Sequence, residues 1–254
     1  MKKKLLIRDI TACAIVAMTV TLAACGGKGN SQDAVAAYNA ALQDSVMAVR
    51  MEIDSCRNSI EREDHNRLTW SRDFTTVAND REVAPYSIYT DFVGKYPPTG
   101  TCLMARLAEN GQFELIGALI GIRFDQVSVT AADETVTTDV VAPDQGLNYM
   151  ADGLNTVMFD GTDADKVGQL IADNELNQIT VSYLNGGRPV KAWRMPADYA
   201  KMIMATYQYY AALRQINMLR ARIPMLERKI QVLQQHIKQD GNAESGAQPE
   251  DTAK

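Results

Sequence analysis

Four cysteines, two histidines and one close group of carboxylates are the residues of this 254-residue chain with chemistry beyond packing. No two cysteines have Cys-x-x-Cys spacing, and His65 and His236 stand alone, so no metal-ligand pattern is present. Asp160, Asp163 and Asp165 stand close together like the start of a calcium loop. The glycine position and closing glutamate of such a loop are missing, and capping of a following helix accounts for Asp163 and Asp165. Gly117 and Gly121 are followed by no Gly-Lys-Ser/Thr and make no phosphate loop. No Ser/His/Asp or Cys/His arrangement is visible. The expectation is a protein without metal or cofactor, and not an enzyme. If a small ligand, glycan or peptide is held at all, Trp193, Tyr199 and Tyr207 are its candidate contacts, in a concave pocket with converging polar groups. The alternative for these aromatic residues, with Trp70, Tyr209 and Tyr210, is packing. That leaves the cysteine at position 25.

Lys2, Lys3, Lys4 and Arg8 precede an apolar run from Ile10 to Leu22, and small residues then lead to Cys25. Charge, apolar core and small residues in that order make a secretory signal. The run falls short of the ~20 residues needed to span a bilayer, and Asp9 sits at its start. Leu22-Ala23-Ala24-Cys25 followed by Gly26 resembles the lipobox of bacterial lipoproteins. The resemblance covers about the first tenth of the chain. It implies cleavage before Cys25, a diacylglycerol on its thiol and a further acyl chain, such as palmitate, on its amine. Stable anchoring takes more than one chain. The absence of aspartate after the cysteine implies the outer membrane of a Gram-negative envelope. Residues 1–24 are then the signal, and 25–31, with Gly26, Gly27 and Gly29, a flexible tether.

Removing 1–24 takes four basic residues and one acidic one from a chain of net charge −5 and leaves about −8. An acidic mature domain argues against nucleic acid, whose phosphates need a basic surface. Some ~230 residues suffice for a real core. Cys13 leaves with the signal. Cys56 and Cys102 remain, and export permits a disulfide between them. The apolar helix position of Cys56 favours free thiols.

Two long helices must position everything else. From Ser31 to about Arg67 neither proline nor glycine intervenes, and 32–72 reads as one helix. Val35, Leu42, Val46, Val49, Ile53, Cys56 and Ile60 alternate at steps of mostly four and three, the a/d seam of a coiled coil. Asn39 falls on that seam. Ser31 and Asp33 suit the cap and first turn. Pro196 opens a second helix, expected over 196–238. Tyr199, Ile203, Thr206, Tyr210 and Leu213 make one seam; Ile223, Leu226, Ile230, Leu233 and Ile237 make another, out of phase with the first. Pro224 should kink the helix nearby. Gly241 should end it, leaving 239–254 as a disordered tail. The simplest arrangement pairs the two helices antiparallel within one molecule; a homo-oligomer is the alternative.

Between them, 73–195 reads as an inserted antiparallel β-rich domain with one short helix, an α+β fold. Strands are expected at Ser87–Val93, Thr101–Leu107, Phe113–Ile120, Ile122–Thr130, Thr135–Val141, Leu154–Phe159, Gln178–Leu184 and Arg188–Arg194. Hairpins are expected at Asn110-Gly111, with both turn residues at positive φ, at Ala131–Glu134, and at Asn185-Gly186-Gly187. Asp163–Asn174 reads as the helix, with Val167, Leu170 and Ile171 inward. The functional expectation is a lipid-anchored envelope scaffold, its stalk presenting a β-rich domain to a protein partner.

Overall fold

The computed structural model describes residues 31–78, 84–143 and 146–243. The signal, Cys25, the start of the tether and residues 244–254 lie outside them. The chain is α+β. A long helix α1 (Ser31–Ser71) and a long helix α3 (Ala197–Ala243) flank ten strands and a shorter helix α2 (Gly161–Asp173) among the described residues.

The strands are β1 (Phe74–Val77), β2 (Tyr86–Tyr89), β3 (Cys102–Ala108), β4 (Phe113–Ile120), β5 (Gln126–Ala131), β6 (Glu134–Thr137), β7 (Asn148–Ala151), β8 (Leu154–Phe159), β9 (Ile179–Asn185) and β10 (Arg188–Arg194). They form two sheets, ordered β1-β2-β3-β4-β8-β7 and β10-β9-β5-β6. Every neighbouring pair is antiparallel. Alternate residues of β5 and β9 (Val127, Val129, Ala131, Ile179, Val181, Tyr183) are buried in one cluster with Leu103, Leu115 and Phe159 of the larger sheet. Ala164, Val167, Leu170 and Ile171 of α2 join it, as do Ala200, Met202, Ile203 and Ala205 of α3. One core therefore serves both sheets and the first turns of α3.

β2 pairs with β3 only at Tyr86↔Ala108 and Ser87↔Leu107. Further along β3, Met202 Sδ takes the Ala105 N–H at 3.4 Å. Covering a strand in this way removes an open edge. A buried amide network closes the join between sheets. Asn155 Oδ1 accepts from the Phe124 N–H at 2.7 Å, and Asn155 Nδ2 donates to Asn148 Oδ1. Asn148 Nδ2 donates in turn to the carbonyls of Phe124 and Val141. Each donor has a partner, as buried amides require.

Several local expectations need correction. Ser87–Val93 is not one strand: β2 stops at Tyr89, and a 3-10 turn spans Thr90–Lys95 and buries Phe92. Asn110 does not share the positive φ of Gly111 (+78°). The Gly111 N–H bonds the Ala108 carbonyl and the Ala108 N–H bonds that of Gln112, a three-residue loop with one left-handed glycine. β5 begins at Gln126 rather than Ile122, and β6 stops at Thr137. Asp165 caps nothing; its carboxylate accepts from Tyr210 Oη at 2.7 Å and from Arg214 Nη1 at 2.9 Å. α3 does not end at Gly241 but continues to Ala243, with Pro224 at an exposed position inside it. Residues 239–243 are helical, not tail.

Along α1 the seam residues Val46, Val49, Ile53 and Cys56 are buried, and Val35, Leu42 and Ile60 half-buried. Val49, Ile53 and Cys56 cluster with Leu226 of α3, against which Leu219, Ile223, Ile230 and Leu233 also pack. Glu52 pairs with Arg222, and Arg57 with Glu227 at 3.9 Å. Asp64 binds Arg67 at 2.8 Å; that bond, helped by nearby Arg220, holds its carboxyl below the usual value. Arg67 also faces Tyr209.

Candidate functional site

Of the candidate ligand contacts, two meet and one stands apart. Tyr199, in the first turn of α3, packs edge-on against Trp193 of β10, with centroids 5.5 Å apart, and against Phe92 at 5.0 Å. Lys95 closes this group: its Nζ lies 4.3 Å from the Phe92 centroid and 2.9 Å from Asp198 Oδ2. That carboxylate is the main cause of a lysine pKa above its usual value. Tyr207 lies two turns on, edge-on to Phe113 at 5.7 Å and 6.0 Å from Tyr210. Trp193, Tyr199 and Tyr207 therefore share no single pocket wall. All three are half-buried and packed against the main core.

Gly168 explains how α2 approaches Tyr207 so closely. A Cβ placed there would come within 2.8 Å of the Phe113 ring and of Tyr207 Cδ2. Alanine ordinarily gains about 1 kcal/mol over glycine inside a helix, but here it collides with two rings held from both sides. Overpacking of this kind costs about 1–3 kcal/mol. Gly168→Ala should therefore lower the urea midpoint of unfolding at unchanged slope; an unchanged or raised midpoint would contradict the packing described.

Two neighbouring open depressions lie on the described surface. One, of about 440 Å³, is lined by Glu175 to Ile179 and Arg194 to Ala197 with Ala200. The other, of about 430 Å³, lies beside it under Thr130, Ala132, Asn177, Gln178 and Thr180. Neither includes Trp193, Tyr199 or Tyr207, and neither brings titratable groups together as a catalytic pair. No group of three metal-binding side chains occurs among the described residues.

The most concentrated buried chemistry lies in the β3–β4 hairpin. Arg106 Nε donates to Glu114 Oε2 at 2.6 Å, with side-chain exposures of 6% and 14%. Its Nη1 donates to Tyr96 Oη at 2.6 Å, and its guanidinium lies 4.5 Å from the Tyr86 ring centroid. No sequence motif marks this cluster. Its signal was the hairpin itself, because the turn at Gly111 sets Arg106 directly opposite Glu114. Every polar atom named here is engaged, so the cluster is built to hold a hairpin together rather than to receive a proton or a ligand.

Cys56 and Cys102 are free and buried. Burial pushes the Cys102 thiol up to about 12 and the nearby Tyr183 phenol well above its usual value. A thiol so disfavoured as thiolate is inert. Cys25 lies outside the described residues. No described helix is long and apolar enough to cross a membrane. The chain matches no protein-family model, curated protein or solved structure.

Proposed function

We propose that this chain is a lipid-anchored envelope protein in which α1 and the second half of α3 pair as an antiparallel coiled-coil arm that holds the β-rich head away from the membrane. The observation that carries the reading is the order of contacts between the helices. As α1 advances from Arg57 through Asp64 to Arg67, the facing residues on α3 recede from Glu227 through Arg220 to Tyr209. Glu52 and Arg222 each precede a seam residue, Ile53 and Ile223. Arg57 and Glu227 each follow one, Cys56 and Leu226. Matched flanking positions of this sort face one another when helices run in opposite senses, whereas parallel helices set preceding against following.

The arrangement gives the anchor a mechanical meaning. α1 packs on α3 from about Val49 onward and meets the core of the head at Trp70. At 1.5 Å per residue, the 41 residues of α1 span about 60 Å. A lipid at Cys25 then confines the head to a shell of that height, which raises its effective concentration for a partner in or near the envelope. A protein surface is the favoured partner, because the head's aromatic residues are spent on packing. A ligand-binding role would rest on open depressions such as these two.

The test is metabolic labelling with palmitate followed by fractionation of the envelope. The wild-type chain should label and sediment with membranes. Cys25→Ala should do neither, while keeping the folded head. Label surviving the substitution removes the anchor from the account.

A further inference from the structure

Both helices carry a second heptad-spaced stripe, turned away from their mutual contact. On α3 it consists of Arg214, Met218, Ala221, Met225, Arg228 and Val232, all exposed; the two methionines are 58% and 70% accessible. On α1 it consists of Ala37, Ala40, Asp44, Met47, Met51 and Asp54, also exposed, with methionines at 64% and 70%. Flexible, polarisable methionines at such spacing suit a helix-docking face. The two stripes carry opposite charge. Arg214 bonds Asp165 and Asp54 bonds Arg57, but Arg228 and Asp44 make no ion pair among the described residues.

We propose that the arm docks side by side with a second copy of this chain, the acidic α1 stripe of one copy on the basic α3 stripe of the next. Charge chooses this contact over a two-fold one. Pairing α3 with its own copy opposes arginines to arginines, and pairing α1 with its copy opposes carboxylates. The orientation rests on the anchored arm proposed above: copies held at Cys25 stand parallel, so α1 of one runs antiparallel to α3 of its neighbour. In that sense a single register sets Met47 beside Met225, Met51 beside Ala221, Asp44 beside Arg228 and Ala40 beside Val232. The α1 stripe flanks the Arg57–Glu227 side of the arm and the α3 stripe the Arg222–Glu52 side. Each docked copy therefore keeps one face open, and the contact repeats into a row or closes into a ring.

The experiment uses the full chain in its own envelope. Met47→Cys and Met225→Cys variants are expressed alone and together and treated with a short bis-maleimide, the wild type serving as control. A crosslinked dimer should form only where both variants are present. It should fall at least several-fold when the Met225→Cys copy also carries Arg228→Glu, and return when the Met47→Cys copy carries Asp44→Arg. A dimer from Met225→Cys alone would show a two-fold α3 contact and overturn the proposal. So would a crosslink to a different chain, or no crosslink. Palmitate labelling of the same samples separates the two readings: label retained without a dimer overturns the docking and leaves the anchor standing.

Discussion

Arg106→Ala should destabilise the head by about 3–5 kcal/mol, because it strands a carboxylate in a site built for an ion pair. Glu114 is only 14% exposed and has Arg106 Nε at 2.6 Å. Tyr96 loses the guanidinium donor to its hydroxyl, and the Tyr86 ring loses the cation beside it. The ion pair as a whole is worth far less than the cost of halving it, since desolvation of both charges offsets most of their attraction. Arg106→Met with Glu114→Leu should therefore recover most of the loss. Denaturant unfolding of the two variants reads the difference directly. A single substitution as mild as the double one would mean that the pair is wetter than its burial indicates.

Ile53→Asp should open the arm while leaving the head folded. Ile53 is 5% exposed and sits among Val49, Cys56 and Leu226. Truncation of a buried isoleucine to alanine costs about 2–5 kcal/mol, and a carboxylate in its place adds a desolvation penalty. The helices can escape that penalty by separating, so the cost is capped at the free energy of their pairing. The expected result is a loss of helical circular dichroism and new proteolytic cuts in residues 32–60 and 220–240. The aromatic signal from Phe113, Tyr207 and Trp193 should persist. Loss of that signal in step with the helix would show that arm and head unfold as one unit.

The helical seams were legible because a three-four period has few other readings. Val46, Val49, Ile53 and Cys56 are buried where their spacing puts them, and Leu226 with them. The second stripe was harder to read: Met47, Met51, Met218 and Met225 look like core residues in a sequence, and only the packing shows that they face outward. In the head, Asn185-Gly186-Gly187 marked its hairpin correctly, and the inward face of α2 was right. The hairpin of β7 and β8 was missed although Asp152-Gly153 announces it; both residues adopt positive φ, +51° and +76°. Strands of four residues, such as β1, are too short to show alternation. Distant contacts were beyond reach. Nothing local says that Asp165 of α2 will hold Tyr210 and Arg214, or that Tyr207 will leave Trp193 and Tyr199 for Phe113.

The paired arm is tested most directly by one crosslink within the full chain. Glu52→Cys and Arg222→Cys replace an ion pair between the helices, and a short bis-maleimide bridges them only if they face each other. A monomer of altered mobility, formed in high yield by the double variant and by neither single one, is the expected product. Failure to react, or reaction only between molecules, would mean that the two long helices do not form one arm.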